Sequence, residues 1–305
     1  GAGSRPDGIA LLISPLEHIA IRELGKALER EEGVRVLVAE LRADGRVDPA
    51  SVERLLDSHP QTALVSVQRA NNETGAIQPT SDVAAICRAR GVTFHCDATQ
   101  AVGKMPVSVE GDIDADLLTF SPHKFHGPKG IGVLYSRPGI RTAPLIHGEQ
   151  ETGRRGGTEN VAGIVGAGVA AELALAWLGD PANTDRGRAL RDRFERAVLA
   201  AAPGARVNVA DEPRLWNTSS IGFPGLEAEA LLLLLSERGV YCSAGAACSS
   251  GSLEASPVLQ AMKIPNEYAH GTLRFSISRE TTAAEVDGAA EIVGACVGRL
   301  RQSWK

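Results

Sequence analysis

The first half of the chain alternates short, unbroken apolar runs with amphipathic stretches, and few architectures accept that order. Residues 9–13, 34–39 and 62–67 are apolar on both faces of a would-be strand. Between them, 19–32 and 49–56 carry apolar residues at helical spacing, the second with Pro49 in its first turn. Residues 81–90 read as a further helix, expected to start from a Ser81 N-cap with Asp82 in its first turn. Residues 92–95, 117–120 and 131–135 read as strands. Strands buried on both faces and separated by helices predict an α/β fold: a mostly parallel sheet with helices on both faces.

The pattern changes after Gly153-Arg154-Arg155-Gly156-Gly157-Thr158. An Ala-rich helix, 161–178, runs into the helix breaker Gly179-Asp180-Pro181. Beyond it come a helix at 185–201, strands near 206–209 and 218–223, and a helix at 226–238. A short helix near 257–262, a strand at 272–277 and an amphipathic helix from Ala283 follow. With 305 residues the chain is long enough for two domains. We therefore expect a large α/β domain at 1–178 and a smaller α+β domain at 179–305.

A formal net charge of −5 gives no basic footprint, so direct nucleic-acid binding is not expected. No unbroken apolar run approaches the roughly 20 residues that span a bilayer, so no membrane association is expected either. The five cysteines are odd in number and scattered, which argues against a disulfide framework. None forms a C-x-x-C pair, so no structural metal site is expected, and a reducing cytoplasm fits the usage.

In parallel sheets ligands collect beyond the carboxyl ends of the strands. Polar clusters follow the strand ends here at 14–18, 71–74, 97–100 and 121–124. The last places Lys124 after the apolar run 117–120, where a merely solvated charge is hard to explain. An isolated lysine at a strand end usually pairs with a carboxylate, but these neighbours suggest more. Lys124 with Asp97 supplies the amine and carboxylate that pyridoxal 5'-phosphate (PLP) chemistry requires. Gln100 stands beside Asp97, Ser121 and His123 can donate to a phosphate, and Gly127 and Gly130 allow close backbone approach. Burial would lower the Lys124 pKa towards the neutral amine. Farther on, Cys242 and Cys248 bracket a string of Ala, Ser and Gly in which an ionised thiol would be nucleophilic.

The strings His95-Cys96-Asp97-Ala98-Thr99-Gln100 and Ser121-Pro122-His123-Lys124-Phe125-His126-Gly127-Pro128-Lys129-Gly130 resemble the paired signatures of fold-type I PLP enzymes. They are similar to the class V aminotransferase branch, and within it to the cysteine desulfurases. That resemblance implies Lys124 as the Schiff-base lysine and Asp97 on the ring nitrogen. It implies His18 as the histidine that stacks on the ring and moves protons. Arg274 would hold the substrate carboxylate, with Asn72 sharing it close to the ring oxygen. Ser243-Ala244-Gly245-Ala246-Ala247-Cys248 resembles the long-loop cysteine motif, making Cys248 the persulfide-forming residue and Cys242 a packed thiol at the loop base. Thr158 matches a threonine that reaches the phosphate of the partner subunit's cofactor, which implies a homodimer.

The activity so implied converts L-cysteine to L-alanine and passes the sulfur to an acceptor. Iron–sulfur scaffolds, tRNA-thiolation enzymes and DNA sulfur-modification systems are acceptors within such a family. The alternatives are a selenocysteine lyase or other class V enzyme, or a truncated paralogue acting as a binding platform. The resemblance also places a segment of several dozen residues, with a Gly/Thr-rich phosphate turn, ahead of the strand at 9–14. The sequence opens there at Gly1-Ala2-Gly3-Ser4. On that basis Ser121, His123 and Thr158 are left as the phosphate ligands, and weaker PLP retention is expected. Pro122 and Ala255 depart from the pattern without touching a proposed chemical role.

Overall fold

The computed structural model describes residues 8–245 and 255–303. Short apolar runs become β1 (Ala10–Ile13), β2 (Arg35–Val38), β3 (Thr62–Ser66), β4 (Thr93–Asp97), β5 (Leu117–Phe120) and β6 (Val133–Ser136). They form one sheet in the order β2-β1-β3-β4-β5-β6, parallel throughout except for the β5–β6 pair. The intervening helices are α1 (Ile19–Glu32), α2 (Pro49–Ser58) and α3 (Thr80–Ala89). Leu12, Val65, Phe94, Cys96 and Leu118 join Val52, Val83 and Ile113 in the core of this layer. Parallel strands demand helical crossovers, so the alternation in the sequence leads directly to the mostly parallel sheet.

The starts of α1 and α2 follow local chemistry, and that of α3 does not. The His18 side chain caps α1, whose C-terminus closes on Gly33 in the left-handed region at φ 67°. Asp48 caps α2 ahead of Pro49. The expected Ser81 cap is not made. Helix α3 begins at Thr80 behind Pro79, without a side-chain cap, and Ser81 Oγ donates instead to the Asp112 carbonyl. Because α3 starts one residue earlier than expected, Ser81 lies inside the helix and not at its cap position.

After a four-residue turn, α4 (Gln150–Gly153), come α5 (Val161–Leu178) and α6 (Pro181–Ala201), the latter capped by Asp180. A second sheet of β7 (Arg206–Val207), β8 (Thr218–Gly222), β9 (Ser243–Ala244) and β10 (Thr272–Ser276) has the order β7-β8-β10-β9 and is antiparallel. Helices α7 (Ala228–Glu237) and α10 (Ala283–Ser303) accompany it, with the short α8 (Pro257–Ala261) and α9 (Asn266–Ala269). Its core gathers Val198, Ile221, Phe223, Leu231, Leu235, Leu273 and Val293.

Helix α5 departs from the expectation about apolar length. Among the described residues it alone is long and apolar enough to cross a membrane, and 17% of it is buried in this chain. Its apolarity comes from interspersed Ala and Gly, which a count of large hydrophobic runs overlooks.

Candidate active site

The carboxyl edge of the first sheet assembles the site. β4 ends on Asp97, in register with Thr119 of β5, and the Ala98 N–H bonds the Thr119 carbonyl. Two residues past Thr119 the chain turns at Ser121 into a 3-10 turn, Pro122–Phe125, that carries Lys124. Asp97 Oδ1 accepts the Thr99 N–H at 2.9 Å, so this oxygen fixes the turn and the other is left uncommitted. Below them His95 bridges three strands: Nδ1 meets Ser66 Oγ at 2.8 Å and Nε2 meets Thr119 Oγ1 at 3.0 Å. Burial holds the His95 imidazole below its ordinary range, so this bridge is a neutral strut.

β1 and β3 supply the other wall. Glu17 is wholly buried and accepts the Gln68 N–H at 2.7 Å. Burial, and then the negative charge of Asp97, push its carboxyl well above the usual range. His18 is exposed beside it, and its Nδ1 accepts the Ala20 N–H at 3.2 Å. A neutral imidazole with Nδ1 occupied as an acceptor carries its proton on Nε2.

Asn71 and Asn72 separate cleanly. Asn71 Oδ1 gathers the Glu73 and Thr74 N–H groups at 2.9 Å each, while Nδ2 donates to the Leu16 carbonyl at 3.2 Å. That bonding closes an Asx turn, and Asn71 is fully buried. Asn72 is half-buried and its side chain enters none of these bonds. Its carbonyl receives Arg274 Nη1 at 2.8 Å, while Arg274 Nη2 donates to Ser243 Oγ at 3.0 Å. The expected substrate arginine thus reaches from β10 to the loop after β3.

Glu73 bonds the chain after 246–254 and lies against the chain before it. Ser256 Oγ donates to its Oε2 at 2.5 Å, and a Cβ on Gly245 would lie 2.6 Å from the same oxygen. Burial raises the Glu73 carboxyl, partly offset by Ser256 and the cations Arg22 and Arg274. Cys248 lies outside the described residues. Cys242 is half-buried, and burial pushes its thiol up to about 11; Cys87 is pushed to about 12. Cys96 and Cys296 are raised by burial as well. At neutral pH these four are thiols, not thiolates.

The structure brings Asp97, Gln100, Ser121 and Lys124 to one edge, with Asn72 and Arg274 on its other side. Partial desolvation, and then Lys124 and Lys129, lower the pKa of His123, which is exposed. Thr158 is exposed in the segment before α5 and takes no part in these contacts. Lys124 is itself exposed in the single chain, although it lines a cavity with Lys104, Phe125, Trp177 and Trp216. The burial expected at Lys124 falls instead on Lys104, which is 8% exposed and was not singled out in the sequence. Its four-residue spacing from Gln100 was the available signal.

The residues fit PLP on their own chemistry: an amine, a carboxylate with one oxygen uncommitted, and a 3-10 turn whose Ser121 hydroxyl makes no cap bond.

Residues 4–288 match the family model "Aminotransferase class-V". A cysteine desulfurase of Gluconacetobacter diazotrophicus is 47% identical over 293 residues, 96% of this chain and 72% of that protein. The chain belongs to the class-V aminotransferase family, in its cysteine desulfurase branch. Among solved structures, a NifS-like protein superposes with a TM-score of 0.87 at 35% identity, over 97% of this chain and 76% of the other. SspA in complex with cysteine superposes with a TM-score of 0.74 at 31% identity, over 90% of this chain and 75% of the other. The α/β architecture of this cysteine desulfurase branch is therefore that of fold-type I PLP enzymes.

Proposed function

We propose that this chain removes sulfur from L-cysteine with PLP, leaving L-alanine and a persulfide on Cys248. The observation that supports this reading is the bond from Arg274 to the Asn72 carbonyl, which ties a guanidinium of β10 to the loop after β3, the strand paired with the β4 that ends on Asp97. Bound PLP supplies an electron sink for the substrate Cα. Lys124 holds the cofactor and, as a free amine, moves the Cα proton. Asp97 keeps the proton of the ring nitrogen. Arg274 and Asn72 orient the substrate carboxylate with a planar fork and an amide. His18, with Nε2–H presented, serves as the second proton carrier. The Cys248 thiolate attacks the substrate sulfur, so an S–S bond forms as the C–S bond breaks and the electron pair passes to carbon. The C-terminal stem of its segment is held at Glu73, beside Asn72, by the Ser256 hydroxyl.

Sulfide and alanine formed from L-cysteine, PLP and a reductant test this reading. Cys248→Ala should abolish both products while the cofactor absorbance remains, and Cys242→Ala should retain most of the activity. Sulfide production unchanged in Cys248→Ala would overturn it.

We also assign Thr158 to the cofactor phosphate of a second copy, which makes the working unit a homodimer. The acceptor is a thiol protein of an iron–sulfur scaffold, tRNA-thiolation or DNA sulfur-modification system. A reducing cytoplasm suits a chain whose described cysteines are all free.

A further inference from the structure

Lys104 is a buried cation with a single neutral acceptor. Its Nζ donates to Gln100 Oε1 at 2.6 Å, and among the described residues no carboxylate forms an ion pair with it. Burial, and then repulsion from Lys124 and Arg274, lower its pKa to about 7. A buried, unpaired ammonium is costly, so a fold that keeps one needs a reason.

The backbone around Lys104 is fixed from several directions. The Lys104 carbonyl accepts Trp216 Nε1–H at 2.8 Å, and Trp216 stacks on Trp177 with centroids 5.0 Å apart. Gly103 sits at φ 76°, where a Cβ would lie 2.4 Å from Phe125 Cβ. The turn bearing Gln100 and Lys104 is thereby locked against the residue next to Lys124. The charged and titratable groups facing Lys104 are Lys124 and His126 from the turn after β5, Arg279 from the cavity wall, and Arg274 from β10. Every one is basic. With one Gln100 Oε1 lone pair held by an N–H donor, the orientation of the amide is set and its N–H pair is available to a ligand.

We propose that Lys104 is a positioning residue of the cofactor site: it locks the Gln100 amide as a hydrogen-bond donor to PLP and adds a cation that the fold leaves for the anionic cofactor to neutralise. This rests on the PLP reading of the site. Half-protonated near neutrality, Lys104 gains its proton as an anion binds, and its charge contributes most below pH 7. Its amine still donates to Gln100 when neutral.

Titration of apoprotein with PLP at pH 6.0 and 8.5, followed by tryptophan quenching, separates the two roles. Lys104→Gln keeps a donor and loses the charge. Its affinity should fall about fivefold at pH 6.0 and stay within about twofold of wild type at pH 8.5. Lys104→Met loses both and should be weaker at both pH values, about tenfold or more at pH 6.0. In a Gln100→Ala background, Lys104→Met should cost nothing further at pH 8.5. Thermal unfolding of each apoprotein checks that it is folded. Should Lys104→Met not fold, the pH contrast in Lys104→Gln carries the test alone. Affinities equal to wild type at both pH values, or an equal loss at both in Lys104→Gln, would overturn the proposal. Wild type that fails to bind PLP at all would overturn the site reading along with it.

Discussion

Asn71 and Asn72 are neighbours of the same chemistry with opposite work, and the difference lies in what each amide touches. Asn71→Ala removes the acceptor of two buried N–H groups and should lower unfolding free energy by about 2–3 kcal/mol in urea titrations. Asn72→Ala should leave stability within about 0.5 kcal/mol and raise KM for L-cysteine about tenfold, read from steady-state alanine formation. Glu17 makes a pH-dependent case. Its carboxyl is raised from 4.5 by burial and by Asp97, so between pH 4.5 and its folded value the native state holds a proton that the unfolded chain has released. Stability from this group is therefore lost as pH rises through that window. Glu17→Gln removes the loss, and its melting temperature relative to wild type should climb from pH 5 to pH 8 in scanning fluorimetry. The placement of Asp97 and Lys124 on one sheet edge was legible because residue type, motif and strand end agreed. The roles of Glu17, Glu73 and Lys104 were not, because a buried ionisable group declares itself only when its surroundings are known.

At the scale of elements, helix α6 shows a contact overriding a propensity. Gly187 lies inside α6, where alanine would ordinarily gain about 0.5–1 kcal/mol. A Cβ there would stand 2.4 Å from Trp216 Cε3, inside the ring that bonds Lys104. Overpacking costs about 1–3 kcal/mol, so Gly187→Ala should be net destabilising. Gly298 in α10 has nothing within 4 Å of its would-be Cβ, and Gly298→Ala should stabilise by about 0.5–1 kcal/mol. Urea midpoints of the two variants should move in opposite directions. The bounds of α1 and α5 follow from helical spacing, caps and breakers, all of them local. The α3 start and the fate of Ser81 do not, because Asp112 comes from another part of the chain.

For the whole molecule, the notable surface is α5. Val165, Val169 and Leu173 repeat every fourth residue and are 60%, 50% and 53% exposed, an apolar stripe beginning just after Thr158. The proposed homodimer takes this stripe as the face that a second copy covers. Val165→Glu with Val169→Glu should therefore give a monomer by sedimentation and lose cysteine desulfurization. A dimer that persists would remove α5 from the interface. The sequence by itself determined the parallel sheet and which residues end its strands, because strand period, helix caps and motif spacing act over a few residues. Only the tertiary structure decided which asparagine stays available, that Arg274 crosses from the second sheet to the first, and that the buried amine is Lys104 instead of Lys124. Burial and charge–charge repulsion are sums over groups far apart in the chain, and they take a value only once the chain has closed on itself.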